Sequence, residues 1–355
     1  MPKSVLHVLI PGLLDRAPQW SNDYRSFPRF AAIETIMAKS RPEIIQAYGV
    51  DATFCALFGL ATGEDRDLPL GAVRRYGYGL DRDTGFWLCA DPVHLSAGIA
   101  QVFLRDSDAL NITQFDANQL GKLFTAHFAG QGWVLEVASP QHWHLRLPAA
   151  AAIKTFPQRR VMGKPIEAYL PLGTDAVCWR VALNEIQMLF HGAEINRDRE
   201  QRGEAPINGL WLSGAGILPA AGSLHTDITA VWANDPVAVG LSQLANVETK
   251  PAPATLDSIL HGGAGRSHLI FLGSLLAPAS YDDLPAWSEA LRELETAWFR
   301  PMAMALRTGR LAQCYIYDCA GRRFNVSRAR RWLVWRRSKP LHMYDQTRED
   351  RPLIP

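Results

Sequence analysis

The chain has 355 residues, 48% of them apolar and 20% charged, with a formal net charge of +2. This is the composition of an ordinary soluble globular protein, long enough for two domains or for one large α/β domain with an insertion. The near-neutral balance removes any general case for nucleic acid or an anionic membrane as partner. Five dispersed cysteines with no C-x-x-C pair point to reduced thiols in the cytoplasm rather than a disulfide framework. No apolar run approaches the ~20 residues of a membrane span, and the run in MPKSVLHVLIPG is too short for a signal peptide.

Ser4 to Ile10 (SVLHVLI) is an apolar run stopped by Pro11-Gly12 and predicts a first central strand. His7 within it reads as a satisfied core histidine. Tyr24 to Ala38 predicts a helix, with Phe27, Phe30, Ile33 and Ile36 near helical spacing and Pro28 kinking or delaying its start. Asp51 to Leu60 predicts another, with Asp51 as N-cap. From Leu68 the texture changes. Strand-like runs at Gly85–Ala90, Val102–Leu104, Gly132–Val137 and Trp143–Leu147 surround a helical stretch, Ala117–Phe128. Such a mixture suggests a small α+β module. Ala149 to Pro171, with Pro157 and Pro165, is a connector. The expected organisation is therefore core segments 1–68 and 173–343, an inserted domain 69–172, and a loose tail 344–355.

Asn184 to Gly216 carries the strongest local signal. Ile186, Leu189, Phe190 and Ile195 recur at helical spacing, and Gly203 and Pro206 stop the helix. Ile207 to Leu212 (INGLWL) then reads as a buried strand of a parallel sheet that empties into Ser213-Gly214-Ala215-Gly216. Loops beyond the carboxyl ends of such strands are where open α/β sheets bind ligands. The candidate ligand-binding set is Asn184, Asn196, Arg197, Arg199, Arg202, Asn208, Trp211, Ser213, Gly214, Ala215 and Gly216. Spacing alone is better served by a helix–strand unit with a glycine turn and a solvated arginine face.

Further on, Ile228–Trp232 and Ser267–Gly273 predict strands, and Pro236–Leu244 a helix capped by Asn234 or Asp235. Leu284–Leu306 predicts one long helix and Gln313–Tyr317 a last strand. Strands alternating with helices imply a doubly wound, mostly parallel α/β sheet with the α+β insertion.

Few motifs carry chemistry. Gly262-Gly263-Ala264-Gly265-Arg266 lacks the Lys-Ser/Thr of a phosphate-binding loop, and no G-x-S-x-G is present. His142 and His144 share a strand face but have no third ligand nearby, which favours a structural role over a metal. Asp282 and Asp283 sit where carboxylates offset a helix dipole. Arg328–Arg337 (RARRWLVWRR) mixes arginine with Trp332 and Trp335; an amphipathic terminal helix with snorkelling arginines accounts for it better than nucleic-acid binding, which the near-neutral net charge disfavours.

The segments WLCADPVH (Trp87–His94), NEIQML (Asn184–Leu189), EINRDREQR (Glu194–Arg202) and NGLWLSGAG (Asn208–Gly216) resemble a bacterial family labelled regulatory protein, RpfE type. That family is in turn similar to the archaeal-type cofactor-independent phosphoglycerate mutases of the alkaline phosphatase superfamily. The resemblance implies an alkaline phosphatase-like core with an inserted domain. In the mutases two divalent metals and a serine nucleophile do the chemistry. Asn208, Gly214, Ala215 and Gly216 match the N-A-x-x-L-R-G-A-G pattern of the mutases, with Ser213 in place of its arginine.

The catalytic positions do not carry over. Pro11 stands where the first metal-ligating aspartate of D-G-L-G-D-R belongs, and Val50 where the serine of S-D-x-A-H-L belongs. The D-x-x-x-H pair falls near Leu276 and Ser280, and the A-D-H motif becomes Tyr317-Asp318-Cys319. Phosphoryl transfer needs both metals and nucleophile. The resemblance therefore implies a pseudoenzyme with no catalytic residues, metal or cofactor. Its role would be binding or regulatory, with a small phosphorylated or carboxylated ligand or a protein partner. The alternative is a divergent metal-dependent phosphatase or mutase with relocated ligands such as Asp282, Asp283, Asp318 and His268.

Overall fold

The computed structural model describes residues 4–60, 67–98, 101–260, 265–327, 329 and 336–345. The chain begins β1 (Ser4–Leu9), α1 (Ala17–Asp23), α2 (Ala31–Lys39), β2 (Arg41–Tyr48) and α3 (Val50–Leu57). Next come α4 (Leu70–Gly77), β3 (Phe86–Ala97), β4 (Val102–Arg105), α5 (Gln114–His127), β5 (Val134–Val137) and β6 (Trp143–Leu147). They are followed by α6 (Gln158–Val161), α7 (Ala176–His191), α8 (Glu194–Gln201), β7 (Gly209–Gly216), β8 (Ala230–Trp232), α9 (Pro236–Leu244) and β9 (Glu248–Lys250). The chain continues through α10 (Asp257–Leu260), β10 (Ser267–Phe271), α11 (Leu276–Ser280), α12 (Leu284–Leu294), α13 (Arg300–Thr308), β11 (Leu311–Tyr317) and β12 (Ala320–Ser327). No described helix is long and apolar enough to cross a membrane.

These elements form two compact units. The first comprises Met1–Phe58, His225–Asp235 and Asn246–Ile354. Its seven-stranded sheet has the order β2-β12-β11-β1-β10-β8-β9. The pairings β11–β1, β1–β10, β10–β8 and β8–β9 are parallel, whereas β12 is antiparallel to both β11 and β2. Alternation sorts the side chains. Leu6, Val8, Cys314, Ile316, Phe324 and Val326 project into one core with Ile33 and Ile36 of α2, Leu291 of α12 and Met302 of α13. His7, paired in register with Tyr315, and Tyr317 with Arg323, lie on the opposite face. There His7 is half-buried, with Nδ1 2.9 Å from the Tyr317 hydroxyl and its ring stacked on Tyr315, so the ring is satisfied but lies outside the main core.

Several expectations change in this unit. The first long helix starts at Ala31, not Tyr24, because Pro28 delays it, and a separate α1 precedes it. The helix from Asp51 starts at Val50 with Gly49 as its N-cap. Strand β2 is an edge strand of largely exposed and half-buried residues, with no apolar run to announce it. Gln313–Tyr317 is not the last strand: the chain turns at Asp318-Cys319 and returns as β12. The helix expected over Leu284–Leu306 carries a π-helical turn, Glu295–Phe299, between α12 and α13. That turn aims Glu295 at α2, where its carboxylate accepts from Ala32 N and Ile33 N at 2.5 and 3.2 Å and caps a helix that has no side-chain cap of its own. The Gly262–Ala264 motif, most of Arg328–Arg337 and most of the tail lie outside the described residues.

The second unit comprises Gly59–Leu224 with Pro236–Ala245, so it extends beyond the boundary expected at 172. Its antiparallel sheet has the order β4-β3-β6-β5, with β7 also paired to β3. The predicted parallel strand is thus antiparallel, running from Val93↔Gly209 to Trp87↔Gly216 against β3. Its apolar run resembles a parallel strand because both of its faces are buried. Ser213–Gly216 is the end of that strand rather than a loop. The helix expected from Asn184 is two helices, α7 and α8, broken at Gly192-Ala193. Helix α4 was not foreseen. Glycine lets it approach closely: a Cβ at Gly71 would lie 2.4 Å from the Leu88 backbone, and one at Gly77 1.8 Å from the Pro236 carbonyl of α9.

Candidate functional site

In a parallel sheet, functional groups gather where strands end at their carboxyl edge. In the first unit that edge is made by Pro11-Gly12 after β1, by Gly49-Val50 at the start of α3, and by Asp318-Cys319 after β11. The pieces are locked together. Gly12 (φ +80°) sits so close to the next crossover that a Cβ would meet the Leu275 carbonyl at 2.5 Å. Gly49 (φ +99°) donates its N–H to the Cys319 carbonyl at 2.7 Å. Thr53 Oγ1 donates to the Gly49 carbonyl at 2.8 Å.

The side chains presented here have little nucleophilic character. Val50 is buried and aliphatic, and Pro11 carries no donor atom. Cys319 is held in the left-handed region (φ +58°) and buried. Burial above all pushes its thiol pKa well up, and the charges of Asp318, Asp15 and Asp51 add to the effect. A protonated thiol is a poor nucleophile. Asp318 is committed to the β11–β12 turn. Its Oδ1 accepts from Ala320 N at 2.8 Å and Arg322 N at 3.2 Å, and its Oδ2 accepts from Arg322 Nε at 2.7 Å. The edge is therefore acidic: Asp15, Asp51 and Asp318 all act on one thiol. Even so, among the described residues no three His, Cys, Asp or Glu side chains are grouped to hold a cation.

The relocated ligands considered from the sequence each make a contact of their own, while the buried His268 Nε2 has no hydrogen-bond partner among the described residues. Asp282 accepts from Trp20 Nε1 at 2.6 Å, and Asp283 caps α12 through Ala286 N at 2.9 Å. His268 Nδ1 accepts from Trp232 Nε1 at 3.2 Å. Leu276 and Ser280, where a ligand pair would fall, are the two ends of α11.

The ligand-binding set expected around Ser213–Gly216 lies in the second unit, and most of it fastens the chain to itself. Asn196 Nδ2 donates to the carbonyls of Phe190 and Ile207, both at 2.8 Å, and its Oδ1 accepts from Ile207 N at 2.8 Å. Arg199 is fully buried; it pairs with Asp116 at 2.7 Å and donates to the carbonyls of Leu110 and Ala205. Arg202 pairs with Glu204 at 2.9 Å. Asn208 exchanges two hydrogen bonds with the Leu95 backbone, and Trp211 Nε1 donates to the Phe156 carbonyl at 2.7 Å. Ser213 is buried in β7. Gly214 N donates to Thr155 Oγ1 at 2.9 Å and Ala215 N to Asp67 at 3.3 Å. Gly214 and Gly216 admit no Cβ beside Leu70 and Pro69. Asn184 and Arg197 are exposed on α7 and α8.

Sequence reasoning missed a buried polar cluster of this unit. Arg74 of α4 forms a bidentate pair with Asp91 of β3 at 2.7 and 2.8 Å, and its Nε donates to His144 Nε2 at 3.1 Å. Burial, then the charge of Arg74, hold His144 well below the ordinary histidine range. The histidine pair in QHWHL was visible, and its structural role holds: His142 is hydrogen-bonded to Tyr78. Arg74 and Asp91 are too far apart in sequence to signal each other.

One unit is thus mixed α/β with a mainly parallel sheet, and the other has a separate antiparallel sheet. No family model matches the chain. Over 69 residues it is 35% identical to the 2,3-bisphosphoglycerate-independent phosphoglycerate mutase of Methanothrix thermoacetophila. That stretch is 19% of this chain and 18% of the relative, so the chain spans under a fifth of the length of the curated protein it matches. Among solved structures it is similar in fold to the PH0037 protein from Pyrococcus horikoshii, with TM-score 0.52 and 13% identity over 92% of this chain and 88% of that one. The cofactor-independent phosphoglycerate mutase of Thermoplasma acidophilum aligns over 92% of this chain and 90% of its own, at 16% identity and TM-score 0.40. Over that 69-residue stretch the chain thus bears a remote resemblance to a cofactor-independent phosphoglycerate mutase.

Proposed function

We propose that this chain has an alkaline phosphatase-like core of the mutase kind, no longer transfers phosphoryl groups, and serves a binding or regulatory role of the RpfE type. One observation carries the proposal. Where a phosphoryl-transfer centre of that kind needs a serine and clustered metal ligands, the carboxyl edge of the sheet has Val50 and Pro11. The acid standing at the position of the A-D-H motif, Asp318, is held by Arg322. Without cations, the charges of Asp15 and Asp51 oppose a phosphate at this edge. The anionic ligand would therefore bind elsewhere on the chain. Of the expected set, Asn184 and Arg197 are exposed, as is Arg202 beside Glu204, and these could contribute to it.

The second possibility is a divergent metal-dependent phosphatase, which would have to recruit Asp15, Asp51 and Asp318 as ligands although among the described residues no three such side chains are grouped to hold a cation. The test is turnover of 3-phosphoglycerate and of p-nitrophenyl phosphate by the full chain with Mn²⁺ or Zn²⁺. The proposed role predicts no product above the buffer rate. Metal-dependent turnover that disappears in Asp51→Asn would favour the enzyme.

A further inference from the structure

The first unit contains a cavity of about 730 Å³ between α2, α13 and the end of β12. Its size falls within the range of small-molecule sites. Two helices shape it with matching stripes. From α2 it takes Ala32, Ile36 and Lys39, and from α13 Arg300, Ala303 and Arg307. Both sets follow the three-and-four spacing that places residues on one helix face. Each stripe is apolar in the middle and cationic toward an end. On α13, Arg300 and Arg307 are seven residues apart, about 10 Å along the helix axis. Val326 of β12 and the small Ala32 and Ala303 keep the floor apolar and the slot narrow.

No acidic side chain lines this cavity among the described residues. The carboxylates of the neighbouring turns are already used. Glu34 is held by Arg29, and Glu295 by the amides of Ala32 and Ile33. Lys39 and Arg300 make no ion pair with a described residue. Arg307 is exposed and reaches Met304 Sδ at 3.0 Å. Two cations, Lys39 and Arg300, beside an apolar slot are poorly served by water on the floor and by a neutral lipid at the rim. A free inorganic anion would satisfy the cations but leave the floor uncovered. A single-chain anionic amphiphile satisfies both.

We propose that this slot binds a long-chain carboxylate. The alkyl chain lies over Ile36, Ala303 and Val326, and the headgroup is held by Arg300 and Lys39. The site stands apart from the carboxyl edge of the sheet and does not depend on whether that edge is catalytic. The test is calorimetric titration of the full chain with dodecanoate below its micellar concentration, alongside dodecanol and acetate. Wild type should bind one dodecanoate saturably, at least tenfold more tightly than dodecanol, and should not bind acetate. Arg300→Glu combined with Lys39→Glu should weaken dodecanoate at least tenfold. Ala303→Trp should remove binding by filling the slot. Circular dichroism and melting temperature check that each variant is folded; Arg300 and Lys39 are not buried, so the charge-reversal variant keeps the test decisive if the tryptophan variant does not fold. No saturable binding by wild type overturns the proposal. So does equal affinity for dodecanol, or binding by the folded charge-reversal variant that matches wild type.

Discussion

Arg199 separates a structural from a ligand-binding account of the second unit most sharply. Its side chain is fully buried, and it meets Asp116 Oδ2 at 2.7 Å, the Ala205 carbonyl at 3.1 Å and the Leu110 carbonyl. Asp116 is also the reciprocal member of the capping box that starts α5 with Thr113. Arg199→Met keeps much of the volume and removes the charge. Asp116, buried at 1% exposure, is left without its main partner. Breaking a buried pair from one side costs about 3–5 kcal/mol, because the remaining charge stays desolvated. Arg199→Met should therefore destabilise the second unit by about that amount. Hydrogen exchange at the amides of α5 and α8, followed against urea, isolates this unit from the first. Asp116→Asn in the same background should recover at least about 1 kcal/mol of coupling in a double-mutant cycle. A loss below about 1 kcal/mol, or strictly additive single changes, would refute the structural assignment and return Arg199 to the ligand-binding set.

Three further outcomes follow from the geometry. Burial first, and then the charge of Arg323, lower the His7 pKa from 6.5 to about 4. The folded chain thus favours neutral His7, whose stabilisation is complete above pH 6.5 and is lost as pH falls through the window down to about 4. The full shift corresponds to about 3 kcal/mol at about 1.4 kcal/mol per unit, an upper bound. His7→Gln should flatten the urea stability profile in that window, and an unchanged profile would contradict the assignment. Gly77→Ala should reverse the usual helix preference. Alanine ordinarily gains about 1 kcal/mol over glycine in a helix, but the 1.8 Å approach to the Pro236 carbonyl should turn this into a loss of about 1–3 kcal/mol by urea titration. Finally, Cys178 is exposed while Cys55, Cys89, Cys314 and Cys319 are buried. Mass spectrometry after brief iodoacetamide treatment of the native chain should find one modified thiol, at Cys178; rapid labelling of Cys319 would contradict its burial.

What the sequence revealed follows from where each signal originates. Strands β1, β8, β10 and β11 were legible because burial makes them apolar runs bounded by turn residues. Strands β2 and β12 were not, since β2 lies at the sheet edge and β12 alternates Arg322, Phe324 and Val326 with half-buried Arg323 and Asn325. β7 was legible as a strand but not in its direction, because a strand covered on both faces looks the same whether its neighbour is parallel or antiparallel. At the sheet edge, Pro11 and Val50 were visible as departures from a pattern. The carboxylates around Cys319 were not, because Asp15, Asp51 and Asp318 are distant in sequence and only the fold brings their fields together. Arginines in the Glu194–Arg202 stretch suggested a ligand site for the same reason that they form a fastener: a guanidinium fits a buried carboxylate and backbone carbonyls as well as it fits an anion.

The role proposed for the sheet edge is tested most directly by crystals soaked in manganese, with an anomalous difference map calculated over Pro11, Val50, Asp51 and Asp318. The account predicts no peak there, with Asp318 still bonded to Arg322. Two peaks about 3.5–4 Å apart, coordinated by Asp15, Asp51 and Asp318, would be a working two-metal centre and would contradict it.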